Sequence, residues 1–231
     1  MQIKYDFHIH SGLSPCADKD MTPVTIVGWA KLNSIDMIAI ADHNSILNVE
    51  VAMRAGEKFG VIVVPAMELQ TAEEIHILCL FETFENLKKF YEKLCFLHIK
   101  NRPDLYGEQF VFDEDDNIVG SVEDLLLTSA IIDSYEVKPL VESFGGVAIP
   151  AHIDREANGM VQILGTVTDE FDIVELSSKA TKEEIETYEK KYRVIVDSDA
   201  HSLEQIYGRS TVMLEEKTLS ALFRWLKAEK N

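Results

Sequence analysis

Positive charge is scarce in this chain. Its 22 lysines and arginines stand against 40 aspartates and glutamates, a formal net charge of −18. Phosphates would be repelled over most of such a surface, which argues against broad binding to long nucleic acid. Long apolar runs are missing too. No stretch approaches the roughly 20 apolar residues of a membrane-spanning helix. Met1 to Asp6 lead straight into a strand-like run without a signal peptide's apolar stretch. A soluble cytoplasmic protein with no membrane partner is expected. Cysteine is rare and odd in number: Cys16, Cys79 and Cys95, with no CxxC pair. That excludes a disulfide scaffold and argues against a thiolate zinc site. Cys79 and Cys95 fall in apolar patterns, and Cys16, in a loop, is read as a small packed residue. No G-x-S-x-G element supplies a serine nucleophile, and no internal repeat or low-complexity segment is evident.

What the chain does have is enough apolar material for a sizeable core, 46% of 231 residues, in a length that suits one α/β domain over residues 1–231. Strand-like and helix-like segments alternate. Strands are expected at 3–7, 37–41, 61–64, 75–81, 147–150, 171–176, 194–196 and 211–214. Helices are expected at 22–33, up to 60, at 84–97, 182–191 and 219–227. This alternation predicts a parallel sheet built from βαβ units, whose sites lie at the carboxyl ends of the strands. Residues 98–134 break the rhythm with Asn101-Arg102-Pro103 and the turn signal Glu114-Asp115-Asp116-Asn117. They read as an insertion or lid over that rim.

Six of the seven histidines lie at or beside the ends of these runs. His8 and His10 are two apart, so on a strand they share a face; Asp199 and His201 repeat the spacing. His43, Glu68, His76 and His152 lie between. Imidazole and carboxylate together suit zinc, manganese or iron. His8, His10, Glu68 and Asp199 group as one site, and His76 and His152 as a second sharing Glu68. His43 and His201, with a carboxylate from the loop after His10, make a third. His98 matches no pattern and reads as the end of a helix.

The motifs His8-Ile9-His10-Ser11, Ala41-Asp42-His43-Asn44, Glu68 with His76, Pro150-Ala151-His152 and Ser198-Asp199-Ala200-His201 together resemble the polymerase and histidinol phosphatase (PHP) superfamily, over residues 3 to about 202. The resemblance implies a distorted seven-stranded β/α barrel, TIM-barrel-like, with three metals at the C-terminal rim of the strands. It implies hydrolysis of phosphoesters by metal-activated water. It carries over His8, His10, Glu68 and Asp199 as ligands of one metal, His76 and His152 of the next, and His43 and His201 of the last. A loop residue completes that last site, and Asp18 fits better than Asp20. Asp199, His201 and Glu68 are the expected catalytic side chains. Arg155 is the first choice for a phosphate-binding cation, with Arg102, Lys100 and Arg209 behind it. The expected cofactors are two or three divalent ions. The expected partner is a small phosphorylated metabolite, such as a nucleotide or sugar phosphate. A 3'-5' exonuclease or oligonucleotide phosphodiesterase and a non-catalytic metal-stabilised binding module are the alternatives.

Overall fold

The computed structural model describes residues 1–208 and 210–228. In chain order the strands are β1 (Gln2–Ile9), β2 (Met37–Ile40), β3 (Ile62–Gln70), β4 (His76–Leu80), β5 (Phe110–Phe112), β6 (Ile118–Ser121), β7 (Val147–Pro150), β8 (Ile173–Leu176), β9 (Arg193–Val196) and β10 (Ser210–Met213). The helices are α1 (Pro23–Leu32), α2 (Val49–Phe59), α3 (Phe84–Tyr91), α4 (Pro103–Tyr106), α5 (Ser134–Ser143), α6 (Met160–Leu164), α7 (Lys182–Tyr188) and α8 (Leu219–Lys227). Among these residues no helix is long and apolar enough to cross a membrane.

The main sheet has six strands in the order β10-β1-β2-β3-β4-β7, and β8 and β9 form a separate parallel pair. This mixed α/β arrangement differs from the uniformly parallel sheet expected. β3 and β4 run antiparallel, with Glu68 opposite Leu78. The reason is the connection: residues 71–75 can close a hairpin, whereas a parallel crossover needs about a dozen residues or more. His76 therefore opens its strand rather than following it. β10 is also antiparallel, against β1. α3 stops at Tyr91, and His98 lies outside any helix, its Nδ1 2.7 Å from Asp124 Oδ2 at the surface.

Side-chain alternation sorts the core into two sides. Ile3, Tyr5, Phe7, Met37, Ala39, Ala41, Val64, Ala66, Leu78, Leu80, Ile149, Ile173 and Ile195 pack together, and α8 adds Leu222, Phe223 and Leu226 to them. The intervening residues Ile38, Ile40 and Val63 face α1 and α2, packing with Ile26, Val27, Ala52 and Ala55. Gly56 permits this close approach, because a Cβ there would lie 2.5 Å from Val61 O. Met67, Ile77, Cys79 and Val174 pack in a further cluster with α3 and α5 through Leu87, Phe90, Val137 and Val141.

The stretch 98–134 holds α4 and the β5–β6 hairpin and is stitched to the rim. Asn44 Nδ2 donates to Leu126 O and Thr128 O, at 2.9 and 2.7 Å. Asn48 joins Ser11 Oγ to the backbone of Phe110 and Phe112. Asp116 caps α1 through the amides of Val24 and Thr25.

Candidate metal centre

The alternation that builds the core also aims the ligands. Ala39 and Ala41 face inward, and so does His43, two residues on. Val64 and Ala66 set the same parity for Glu68, and Leu80 and Leu78 set it for His76. β1 needs a correction, because Tyr5 and Phe7 face inward and His8 and His10 have the opposite parity. The β1–β2 register shifts between Asp6 and Ile9, and beyond it Ile9 packs outward against the α1–α2 side. Such a bulge re-aims the residues that follow it, turning both histidines inward. His152 and Asp199 take positive φ values of 29° and 48°, conformations that non-glycine residues adopt only where the surroundings enforce them.

Glu68 is the hub. Its Oε1 lies 3.2 Å from His8 Nε2, 2.8 Å from His76 Nδ1 and 3.1 Å from His152 Nε2. Its Oε2 lies 3.4 Å from His10 Nε2 and 2.8 Å from His43 Nδ1. Asp199 Oδ1 lies 2.9 Å from His10 Nε2 and 3.5 Å from His8 Nε2. All of these side chains are buried. Yet His8 Nε2, His10 Nε2, His43 Nδ1, His76 Nδ1, Glu68 Oε2 and Asp199 Oδ1 make no hydrogen bond. Leaving such groups unsatisfied costs about 1–3 kcal/mol each. Convergent borderline and hard donors without hydrogen bonds fit divalent cations, with Glu68 shared between them. Among the described residues three overlapping groups each have their donor atoms within 4.8 Å of one another: His8, His10 and Glu68; His43, Glu68 and His76; His10, His43 and His201.

Behind this centre stand residues that orient it. Glu175 is buried, and its two oxygens lie 2.9 and 3.1 Å from His8 Nδ1, which leaves Nε2 facing Glu68. Ser14 Oγ contacts His10 Nδ1 at 3.0 Å and donates to Asp42 Oδ1 at 2.7 Å. Asp42 also accepts from Ser11 N and Ser11 Oγ. Gln70 Oε1 lies 3.1 Å from His76 Nε2. Partners of this kind fix the ring and its tautomer. Glu175 was not among the expected site residues. A carboxylate inside the apolar run Ile173-Val174-Glu175-Leu176 was the signal that could have found it.

Electrostatics follow the geometry. Burial opposes charging His8, but Glu175, Glu68 and Asp199 overcome this and hold its pKa well above the usual value. His10 goes the other way, depressed by burial and then by His201 and His43. Burial would raise Glu68, yet His76, His8 and His43 keep its carboxyl well below the usual range.

The outer edge is more open. Burial would raise the Cys16 thiol, but the neighbouring His201 and His43 imidazoles bring it down to about 7. Cys16 is exposed rather than packed away. Asp18 and Asp20 are exposed, and neither belongs to the donor groups above. Asp18 is tied by its backbone, its N donating to His201 O at 2.8 Å. Arg155 forms an ion pair through Nη1 with Asp199 Oδ2 and remains partly exposed. Arg102 is exposed and engaged by Asp104 at 2.6 Å, and Lys100 is exposed beside Glu123. Arg209 lies outside the described residues.

No family model matches the sequence. Over 81 residues the chain is 31% identical to a 5'-3' exoribonuclease of Haemophilus influenzae, covering 34% of this chain and 28% of that one. Among solved structures it is similar to a protein of Bifidobacterium adolescentis assigned as a metal-dependent phosphoesterase. That match has a TM-score of 0.62 at 18% identity and covers 98% of this chain and 97% of that one. It is also similar to the lesion-specific endonuclease Q of Pyrococcus furiosus, with a TM-score of 0.69 at 19% identity, over 98% of this chain and 56% of that one. The chain shares the fold of these two proteins. The chain spans little more than half of the endonuclease and 28% of the exoribonuclease. A complex of endonuclease Q with a 27-mer duplex, an abasic lesion at its active site, matches at 18% identity and a TM-score of 0.67, over 98% of this chain and 57% of that one. That complex overturns the expected partner, a small phosphorylated metabolite with long nucleic acid disfavoured. Net charge misled because it averages over the whole surface and says nothing of a local contact.

Proposed function

We propose that this chain hydrolyses phosphodiester bonds of nucleic acid with a cluster of two or three divalent cations, zinc, manganese or iron. The observation that carries this is the convergence of buried, hydrogen-bond-free imidazole nitrogens on Glu68 and Asp199. The likeness to an exoribonuclease and to endonuclease Q supports a nucleic-acid substrate. His8, His10, Glu68 and Asp199 would hold one ion, Glu68, His76 and His152 a second, and His43 and His201 a third. Such ions activate water, polarise phosphoryl oxygens and stabilise the departing alkoxide.

The chain's own residues do the rest. Glu68 is the shared carboxylate and Asp199 the link outward, touching His10 on one oxygen and Arg155 on the other. Arg155 turns from Asp199 to the phosphate, because a guanidinium matches two phosphoryl oxygens at once. His201, partly exposed, stands on the side where the leaving group departs. Residues 98–134, pinned to Asn44 and Asn48, form the wall that selects substrate. With so few cations near the site, contact is confined to a strand end or a distorted position. We read β1, β2, β3, β4, β7, β8 and β9 as the seven strands of one distorted barrel, with β10 paired on the edge of β1. Supporting this, Ile153 N bonds Glu175 O at 2.9 Å and His10 N bonds Ala200 O at 2.9 Å.

The test is a panel of end-labelled RNA and DNA oligonucleotides, with and without an abasic site, incubated with manganese or zinc. Metal-dependent cleavage that His10→Ala abolishes without unfolding the protein is the expected result. Intact substrates throughout, or near-normal cleavage by folded His10→Ala, would refute the proposal.

A further inference from the structure

Gln70 closes β3 directly opposite His76, the residue that opens β4. This pairing places the Gln70 amide beside the imidazole, with Oε1 3.1 Å from His76 Nε2. Across the ring, Nδ1 lies 2.8 Å from Glu68 Oε1 and makes no hydrogen bond. His43, Glu68 and His76 form one of the donor groups described above. A neutral imidazole carries a single N–H. For Nδ1 to bind a cation, the proton must sit on Nε2, and Nε2–H then needs an acceptor. Gln70 Oε1 is that acceptor. Turned over, the amide would present its NH2 group instead, which suits only the tautomer whose Nδ1 is protonated and cannot ligate.

The nitrogen of the amide reaches the insertion. Gln70 Nε2 donates to Ser129 Oγ at 3.1 Å. Ser129 is half-buried, and the chain on both sides of it is clipped to the end of β3. Ala130 N donates to Gln70 O at 2.8 Å, and Ala72 N donates to Ile132 O at 2.9 Å. Asn44 Nδ2 donates to Leu126 O and Thr128 O, while its Oδ1 accepts from Gln70 N at 3.0 Å. Asn44 directly follows His43 and takes φ 47°, a conformation asparagine adopts more readily than most residues. With the proton on Nε2, the bonds run one way, from ring to amide to hydroxyl, so each polarises the next.

We propose that Ser129 is a positioning residue for His76, acting through Gln70, so that the insertion over the rim also fixes the tautomer of an inner ligand. The inference rests on the metal-centre reading above. The effect is reciprocal, as any coupling of two equilibria must be. A cation on His76 tightens residues 126–130 against the rim, and an insertion that loosens there weakens the hold on that cation. The wall that meets substrate and the centre that cleaves it are then one mechanical unit.

The experiment is zinc titration of the chelator-stripped full chain in competition with a chromogenic chelator, each variant checked for folding by circular dichroism. Gln70→Leu should weaken one equivalent of zinc about 10–100-fold. Ser129→Ala should weaken the same equivalent about three- to tenfold, the worth of one neutral hydrogen bond. Ser129→Thr keeps the hydroxyl and should restore wild-type affinity. Gln70→Glu keeps an acceptor for His76 and can accept from Ser129, so it should bind zinc at least as tightly as wild type. Added to Gln70→Leu, Ser129→Ala should cost nothing further, whereas a merely structural serine would cost the same in both backgrounds. Zinc should also slow amide hydrogen exchange across residues 126–130 in wild type, and less so in Ser129→Ala. That difference and the Ser129→Thr rescue decide the matter even where Gln70→Leu does not fold. Unchanged zinc affinity in Ser129→Ala, or an equal loss in both backgrounds, would overturn the role of Ser129 and leave the metal centre standing. Wild type that takes up no zinc would overturn both.

Discussion

The inner and outer halves of the centre are built by different means. Around Glu68 the donors come from strands or their immediate ends, are buried, and are backed by a second layer: Glu175 behind His8, Ser14 and Asp42 behind His10, Gln70 behind His76. Toward solvent the donors come from loops, and Cys16, His201 and Arg155 all retain exposure. Strand positions are fixed to a fraction of an ångström by packing on both faces, whereas loop positions depend on a few backbone clips. The difference suggests a rigid inner ion cluster and an outer edge that can exchange partners.

The largest blow to that contrast should come from Glu68→Gln. It removes the carboxylate that five imidazoles share, and metal content and cleavage should both fall to background. Substantial activity in a folded Glu68→Gln protein would mean the inner cluster is not organised around this residue. Glu175→Gln is the next step down. It leaves every donor in place but weakens the acceptor behind His8 Nδ1, and metal affinity should fall about 10–100-fold, read by competition with a chromogenic chelator. An unchanged affinity would show that packing alone orients His8. Arg155→Ala sharpens the outer side. It should raise KM for nucleic acid about tenfold, the worth of one charge-assisted hydrogen bond, with metal content unchanged. Loss of metal instead would make Arg155 a structural prop of Asp199.

The smallest effect belongs to a pair outside both halves. Lys217 Nζ lies 2.7 Å from Asp36 Oδ1, and both side chains are about one-third exposed. Burial raises the Asp36 pKa, but Lys217 and the Lys4 amide together outweigh it and depress it overall. A folded pKa below the unfolded one gives stability that is present above the unfolded value, about 3.9, and is lost as pH falls through the folded value. Lys217→Ala should therefore cost at most about 1 kcal/mol at neutral pH, and less in acid, by urea denaturation. A cost that grows toward low pH would reverse the assignment.

The same contrast explains what was legible in the sequence. His8 and His10 could be paired because a strand repeats every two residues, and the motifs around His43, His152 and Asp199 ended recognisable apolar runs. Periodicity said nothing about the bulge that turns His8 inward, since a register shift depends on the neighbouring strand. The antiparallel β4 was readable in principle, because residues 71–75 are too short for a crossover, but the general alternation of strands and helices outweighed that local fact. Loops have no period at all. Choosing Asp18 over Asp20 followed residue type and the distance from Thr22-Pro23, neither of which says where a loop side chain points; both lie exposed. Glu175 was passed over because one carboxylate in an apolar strand reads as an exception until its partner is seen.

The most direct measurement is anomalous scattering from crystals grown with manganese or zinc, collected on both sides of the metal's absorption edge. Peaks enclosed by His8, His10, Glu68, His76, His152 and Asp199, with Glu68 bridging two of them, are the result expected. Metal-replete crystals in which those side chains bond only to one another, with no anomalous density among them, would contradict the account.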